Sequence, residues 1–204
     1  MCDVASELRI EPIKARHLAD LDLLFAHGDP RSCQCAYLRL TNRDYQDSAP
    51  AANRALHHQA IRTAQRRGGA AGLLGWDDQG PAGWVSFGPR EDFARLVASR
   101  VLEPVDDQPV TSVVCFVVAA RARRRGVAHA LLAEVITYAE QHSLPLLEGY
   151  PVDSGGSPRS AAAQWRGPVS LFAAAGFVEV ARRQANATAR PQLIMRRTVP
   201  QRAV

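Results

Sequence analysis

The most informative part of the chain is the stretch SVVCFVV at residues 112–118, followed directly by AARARRRGVAHALLAEVITYAE at residues 119–140. Its first part is β-branched and aromatic, which is typical of a strand buried on both faces. Its second part carries apolar residues at helical spacing. These residues are Ala128, Leu131, Leu132, Val135, Ile136 and Ala139. The sequence therefore predicts a buried strand that turns tightly into an amphipathic helix.

The turn between the two elements, residues 123–128, predicts an anion site. A glycine at the start of a helix leaves several backbone N–H groups without partners, at the positive end of the helix dipole. The arginines around this turn are Arg121, Arg123, Arg124 and Arg125. Backbone donors and guanidinium groups together favour a ligand that carries phosphate.

Two common nucleotide-binding motifs do not fit this turn. A P-loop requires a lysine after its second glycine, and the only lysine of the chain is Lys14. A dinucleotide fingerprint requires three glycines, and the turn contains Gly126 alone. The pattern that remains is Arg or Gln, two residues, Gly, one residue, then Gly or Ala. Arg123, Gly126 and Ala128 satisfy it.

This pattern resembles the pyrophosphate-binding loop of the GNAT acyltransferase superfamily, whose members bind acetyl-coenzyme A. The order of the predicted elements also resembles that superfamily. These elements are an opening strand (8–12), a hairpin (71–76 and 83–87), a strand after the helix (144–150), a short helix (169–175) ending at Gly176-Phe177, and closing strands (177–180 and 192–197). Cys33-Gln34-Cys35 and the segment 148–153 resemble a bacterial branch of the superfamily.

The resemblance implies an α/β (α+β) fold with a mixed, mostly antiparallel sheet, splayed central parallel strands and helices on both faces. We expect residues 1–204 to form one such domain, with a flexible insertion at residues 152–168, which are rich in Ser, Gly and Pro. Residues 41–52 also lack a periodic pattern, and we expect them to have little regular structure.

By the same resemblance, the coenzyme site combines the backbone N–H groups of a splayed strand with the arginine-rich loop. The expected coenzyme-binding residues are Phe116, Val117, Val118, Arg123, Arg124, Arg125, Gly126, Val127, Ala128 and Phe172. Two positions depart from the family pattern. Ala120 stands where a proline is usual, and Phe172 stands where many members carry a tyrosine proposed to protonate the leaving thiolate. The identity of the general acid therefore stays open.

Glu148 and Tyr150 are the predicted proton-transfer residues. Because they are two apart on a predicted strand, their side chains project to the same side. A glutamate within an apolar strand is costly to bury unless it is paired, and burial would make its carboxylate a stronger base. The alternatives are a salt bridge between Glu148 and an arginine, and a packing role for Tyr150.

Three residues are predicted to line the acceptor pocket: Cys33, Cys35 and Trp165. A zinc site formed by the two cysteines with neighbouring histidines is the alternative, but one intervening residue is too few for typical zinc ligation. We therefore expect no metal. Cys115 lies in an apolar strand without a histidine beside it, which favours a packing role over that of a covalent nucleophile.

Composition sets limits on the class of protein. The chain has 204 residues, is 47% hydrophobic and has a net charge of +5. It contains no apolar run of membrane-spanning length and no segment with the features of a signal peptide, so we expect a cytoplasmic protein that does not bind membranes. The arginines are dispersed along the chain and no nucleic-acid-binding motif occurs, which argues against nucleic acid as a partner. A homodimer is left open.

The predicted function is an acetyl-CoA-dependent N-acyltransferase, in which a primary amine attacks the thioester directly within a ternary complex. The acceptor is a small-molecule amine or a protein amine. One alternative is a coenzyme A-binding regulator or sensor without turnover, suggested by Phe172. Another is a zinc-stabilised interaction module, suggested by Cys33 and Cys35.

Overall fold

The computed structural model describes residues 8–153, 155 and 165–200. Seven strands form one sheet in the order β1-β2-β3-β4-β5-β7-β6. The strands are β1 (Arg9–Pro12), β2 (Gly72–Asp77), β3 (Gly80–Pro89), β4 (Thr111–Val118), β5 (Leu146–Gly149), β6 (Val178–Arg183) and β7 (Gln192–Thr198). Neighbouring strands pair antiparallel except β4 and β5, which pair parallel. The predicted mixed, mostly antiparallel sheet is confirmed.

Helices connect and cover these strands. They are α1 (Leu18–Leu24), α2 (Asp29–Cys33), α3 (Ala36–Arg39), α4 (Asn42–Gln46), α5 (Pro50–Arg66), α6 (Ala94–Ala98), α7 (Val127–Gln141) and α8 (Val169–Ala174). Short 3₁₀ turns lie at Ala15–His17, Arg90–Asp92 and Ala120–Ala122. Among the residues described, no helix combines the length and the apolar character needed to cross a membrane.

The strand–turn–helix unit that the sequence predicted is present as β4 and α7. All residues of β4 from Thr111 to Val117 are buried, as expected for a strand covered on both faces. The strand predicted at 144–150 is shorter and begins at Leu146. Pro145 precedes it and lacks the N–H group that a further ladder bond would require.

The expectation of little regular structure at residues 41–52 was wrong. Thr41 caps α4, since its Oγ1 accepts a hydrogen bond from the Asp44 N–H at 3.2 Å. Pro50 occupies the first turn of α5, where its missing N–H costs nothing. Both are sequence signals for a helix start, and the polar composition of the segment concealed them.

Two apolar clusters lie on the two faces of the sheet. The adjacent residues Trp84 and Val85 fall in different clusters, because successive side chains of a strand point to opposite faces. On one face Leu131 of α7 packs in the cluster, and on the other Leu21 of α1 and Ile61 of α5 do so. The predicted placement of helices on both faces is therefore confirmed.

The parallel pairing of β4 and β5 is short. It consists of Thr111 with Leu147, Ser112 with Glu148 and Val113 with Gly149. A register shift in the β3–β4 pairing leaves Val114 as the extra residue between Cys115 and Val113, which is a β-bulge. From Val114 onward, β4 pairs with β3 but no longer with β5. The resulting gap between β4 and β5 is the one expected of splayed strands.

The predicted insertion at residues 152–168 lies mostly outside the described residues, which omit 154 and 156–164. Val152 forms an isolated bridge with Gln192. The chain is described again from Trp165 and leads into α8.

Candidate functional site

A cavity of about 1500 Å³ lies along the part of β4 that has lost its β5 partner. The segment 114–118 of β4 lines it, together with residues of the α1–α2 region, the loop after β4, and residues 165–168. The chain therefore brings the predicted coenzyme loop and the predicted acceptor wall to one cavity.

The loop before α7 has the backbone conformation of an anion site. Gly126 caps α7 with a φ of 79°, and a Cβ added there would face open space. The Ala130 N–H makes a helical bond to the Gly126 carbonyl at 3.0 Å, so the N–H groups of Val127, Ala128 and His129 precede the first such bond. The dipole of this 15-residue helix adds positive potential at the same point.

The arginines of this loop divide into two roles. Arg121 donates to the Asp77 carboxylate and to the carbonyls of Gly80 at 3.2 Å and Pro81 at 3.1 Å, so it fastens the loop to the β2–β3 hairpin. The side chains of Arg123, Arg124 and Arg125 are exposed. Of the predicted loop residues, Arg123 and Ala128 line the cavity.

The N–H groups of β4 alternate between the gap and β3. The Phe116 N–H donates to the Trp165 carbonyl at 2.6 Å, while the Ala119 N–H donates to the Ala82 carbonyl at 2.9 Å. Because successive N–H groups point to opposite sides of a strand, Val118 shares the gap side with Phe116. Val117 lines the cavity, but its N–H is directed towards β3.

Glu148 and Tyr150 belong to a buried polar network. The Glu148 side chain is fully buried; its Oε1 accepts from Arg90 Nη1 at 3.0 Å, and its Oε2 accepts from Arg196 Nε at 2.6 Å. The Tyr150 hydroxyl donates to Glu148 Oε1 at 2.7 Å and lies 2.6 Å from Ser112 Oγ. Burial and the nearby carboxylate raise the pKa of Tyr150 well above its ordinary value.

Neither residue of this pair is among the described residues that line the cavity. The network thus favours the salt-bridge alternative for Glu148, and its role as a general base stays a prediction. The sequence could not identify the two arginine partners, since they lie 58 and 48 residues away along the chain.

Phe172 is also placed in the core and not at the cavity. Its ring is fully buried, with centroids 6.1 Å from Phe116 and 5.2 Å from Phe177. It occupies the space above Gly149, where an added Cβ would lie 2.3 Å from Phe172 Cε1. Phe172, which was predicted to contact the coenzyme, does not line the cavity, whereas the neighbouring Leu171 does.

The residues predicted to form the acceptor pocket do line the cavity. Cys33, Cys35 and Trp165 are all in its wall, and Cys115 joins them from β4. The Cys35 and Cys115 sulfur atoms are 3.3 Å apart. Trp84, which the sequence placed in the core, is fully buried.

Two tyrosines that were not predicted from the sequence complete this wall. The Tyr37 ring packs edge-on against Trp165 at 5.3 Å and against Tyr45 at 5.2 Å. The Arg95 guanidinium lies 3.9 Å from the Tyr37 ring centroid. Burial, with a contribution from Cys33, raises the pKa of Tyr45 to about 12. The signal for Tyr37 was its place two residues after the cysteine pair.

Of the three histidines near the cysteines in sequence, His27 lines the cavity and the other two do not. His57 packs against Trp84 with ring centroids 5.2 Å apart, and His58 bonds Asp22 Oδ1 at 2.8 Å. Within ranges 8–153 and 165–200, no three His, Cys, Asp or Glu side chains are grouped so as to hold a metal ion.

The model of the acetyltransferase (GNAT) family matches residues 36–149, which is more than half of the chain. The chain belongs to the GNAT family. No curated protein matches this GNAT sequence.

Solved structures share the fold of this GNAT protein at low sequence identity. A Corynebacterium glutamicum protein described as histone acetyltransferase HPA2 and related acetyltransferase is 17% identical, with a TM-score of 0.59 over 97% of this chain and 99% of the other. A putative acetyltransferase from Salmonella typhimurium, solved with its cofactor acetyl-CoA, is 13% identical, with a TM-score of 0.57 over 97% of both chains. A Brucella melitensis ribosomal-protein-alanine N-acetyltransferase is 20% identical, with a TM-score of 0.55 over 93% of this chain and 99% of the other.

Proposed function

We propose that this GNAT protein is an acetyl-CoA-dependent N-acyltransferase that moves an acetyl group from the thioester to a primary amine by direct attack in a ternary complex. The observation that carries the proposal is the shared cavity. It joins the unpaired segment of β4, the loop before α7 and the wall formed by Cys33, Cys35 and Trp165.

The coenzyme would bind along β4 and at the start of α7. The exposed guanidinium groups of Arg123, Arg124 and Arg125 and the free N–H groups of the first helical turn would hold its pyrophosphate. The open space at Gly126 allows a phosphate to approach the backbone closely. The pantetheine arm of the coenzyme could accept a hydrogen bond from the Phe116 N–H. It would then displace the Trp165 carbonyl, which accepts that bond at 2.6 Å.

The acceptor amine would enter between the aromatic and cysteine side chains. Tyr37, Tyr45 and Trp165 line the cavity and give it an aromatic wall against which the acceptor would pack. Asp29 lines the same cavity and adds a negative charge. The proposal covers both small-molecule and protein amines and requires no metal.

The reaction needs a donor for the oxyanion, an acceptor for the amine proton and a proton for the leaving thiolate, and water would accept the amine proton. The Val118 N–H is on the gap side of β4 and would provide a backbone donor near the thioester oxygen. Tyr45 keeps its proton over the physiological range, because its pKa is raised to about 12. Tyr45 therefore lines the cavity as a neutral side chain, and its hydroxyl is hydrogen-bonded to Cys33.

The second candidate function is a coenzyme A-binding regulator or sensor without turnover. The observation in its favour is Phe172, which takes the position of the family tyrosine and lies in the core. Binding of acetyl-CoA is common to both functions, whereas release of free thiol in the presence of amines is specific to the transferase.

Gly126→Glu tests the coenzyme site. The variant places a carboxylate where we expect the pyrophosphate, so calorimetry should show that acetyl-CoA binding is lost. The substitution also strains the backbone, because a φ of 79° is left-handed, at a cost of about 1–2 kcal/mol.

Gly68→Glu is the matched control. Gly68 has a φ of 77° and, like Gly126, nothing within 4 Å of an added Cβ, but it lies in the connection between α5 and β2. It should carry the same strain and the same charge while acetyl-CoA affinity remains. Normal binding by Gly126→Glu would overturn the proposed site, and a thiol-release assay with a panel of amines then separates the transferase from the sensor.

A further inference from the structure

Two thiols from separate elements meet in the wall of the cavity. Cys35 precedes α3, Cys115 lies on β4, and their sulfur atoms are 3.3 Å apart although 80 residues separate them in sequence. Both residues line the cavity. Each residue is 7% exposed, and the cavity is the side from which a small solute would reach the thiols.

The surroundings of the two sulfurs differ. Trp84 Nε1 donates a hydrogen bond to Cys35 Sγ at 3.3 Å. An indole N–H can only donate, so this contact favours the thiolate form of Cys35 over its thiol. The Cys115 S–H can donate to that thiolate across the 3.3 Å contact.

A cation without a carboxylate partner supports the same assignment. Among the described residues, no carboxylate lies within ion-pair distance of Arg39, whose guanidinium lies over the Phe93 ring at 4.6 Å and reaches Ser86 Oγ at 3.5 Å. A thiolate at Cys35 would supply a compensating negative charge. Burial opposes the ionisation of Cys35, but hydrogen bonds from Cys115 and Trp84 and the Arg39 charge lower its pKa, whereas the Cys35 contact and burial raise the pKa of Cys115.

We propose that Cys35 and Cys115 form a reversible dithiol–disulfide site that reacts with hydroperoxides, with Cys35 as the attacking group and Cys115 as the resolving thiol. The Cys35 thiolate attacks one oxygen of the peroxide, the O–O bond breaks, and a sulfenic acid forms while hydroxide leaves. The Cys115 sulfur then attacks the Cys35 sulfur, forming the S–S bond and releasing water. Overall, two thiols and one hydrogen peroxide give one disulfide and two waters.

The second step requires little movement. A disulfide bond is about 2.05 Å long, so the sulfurs need to approach by about 1 Å from their 3.3 Å contact. Cys33 is the nearby thiol without this arrangement. Burial raises its pKa, and its hydrogen-bond partners include Tyr45.

The disulfide would link the residue before α3 covalently to β4 in the wall of the cavity. If the proposed transferase function holds, the Michaelis constant for the amine should change on oxidation while coenzyme affinity remains. The chemistry itself is measured without any turnover, so it succeeds or fails independently of that function.

The test uses the full chain with Cys2 and Cys33 replaced by serine, and hydrogen peroxide as the oxidant. Peptide mass spectrometry should find one Cys35–Cys115 disulfide, with the loss of two hydrogens per chain and recovery of both thiols on reduction. Adding Cys115→Ser should leave a sulfenic acid at Cys35 that dimedone captures. Adding Cys35→Ser should make Cys115 react at least about tenfold more slowly, because its thiol stays protonated.

The wild-type chain provides a measurement that does not depend on variants that fold poorly. Its peroxide-induced disulfide should join Cys35 to Cys115 and not to Cys33. Absence of that linkage, or dimedone labelling of Cys115 in the Cys35→Ser chain as fast as that of Cys35 in the Cys115→Ser chain, would overturn the proposal.

Discussion

Glu148 lies between two arginines, and this arrangement determines what its removal does. Arg90 and Arg196 both bond its carboxylate in the core, at 3.0 Å and 2.6 Å. Glu148→Gln keeps the shape of the side chain and removes its charge, which leaves the buried Arg90 guanidinium without a carboxylate, whereas Arg196 keeps its pairing with Asp106. We expect the free energy of unfolding to fall by about 3 kcal/mol, measured by urea denaturation at pH 7.

Glu179→Gln is the control for Glu148→Gln, because Glu179 is paired with Arg182 at 2.8 Å on the surface. Exposed pairs contribute little, so this variant should lose less than about 1 kcal/mol. A general-base role for Glu148 would be a separate effect, measured on the Gln variant under conditions where it stays folded. Its turnover should then fall strongly, and its rate should lack an ionisation that is present in the wild-type pH profile.

His57 is a second residue whose burial has a measurable consequence. Burial and the Arg39 charge lower the pKa of His57 from its ordinary value of 6.5 to about 3. Between these values the unfolded chain binds a proton that the folded chain does not. The free energy of unfolding should therefore fall as the pH drops below 6.5, by about 1.4 kcal/mol per pH unit for this group.

His57→Phe should remove this dependence. The ring nitrogens have no hydrogen-bond partner among the described residues, and a phenyl ring keeps the contacts with Phe25 and Trp84. Between pH 7 and pH 5 the wild type should lose about 2 kcal/mol more than the variant. Carboxylates titrate alike in both proteins, so equal losses would contradict the assignment. His57→Leu repeats the test with an apolar side chain that has no ring.

At the scale of elements, the end of β5 and helix α8 meet through one glycine and one phenylalanine. A Cβ on Gly149 would lie 2.3 Å from Phe172 Cε1, and the Phe172 ring is held between Phe116 and Phe177. Gly149→Ala should therefore overpack this contact and lower the free energy of unfolding by about 2 kcal/mol.

Gly75→Ala is the matched control on β2, since its added Cβ would make only ordinary contacts, the nearest at 3.4 Å from Ile10 Cγ1. We expect it to change stability by less than about 1 kcal/mol. In the Gly149→Ala background, Phe172→Leu should recover part of the loss, because it opens the space that the methyl group needs. Additive losses in the double variant would show that the two residues do not meet.

The sequence predicted elements better than contacts, and the reason is physical. Apolar periodicity is local, so the pattern at residues 112–140 was sufficient to predict β4 and α7. The partners of Glu148 come from the 3₁₀ turn at Arg90–Asp92 and from β7, and no local pattern relates them. The same holds for Cys35 and Cys115, which come from separate elements 80 residues apart in sequence.

For the molecule as a whole, three adjacent exposed arginines concentrate positive charge at the loop before α7. The net charge is +5, but many arginines are paired, such as Arg54 with Asp22, Arg182 with Asp153 and Arg196 with Asp106. Arg123, Arg124 and Arg125 are exposed, and no ion pair is recorded for them within the described part of the chain. An anionic ligand is thus attracted to the start of α7.

Acetyl-CoA should therefore stabilise the entire fold, because a ligand that binds only the folded state shifts the unfolding equilibrium. At a free concentration of about 100 times its dissociation constant, the gain is about 2.7 kcal/mol, seen as a higher thermal midpoint. Raising the salt concentration from about 0.1 M to about 1 M shortens the screening length from about 10 Å to about 3 Å and should reduce the gain. Gly126→Glu should show no gain at either salt concentration, while Gly68→Glu should behave as the wild type. A stability gain that does not change with salt concentration would indicate that the coenzyme binds away from the arginine loop. A stability gain without thiol release would favour the sensor over the transferase.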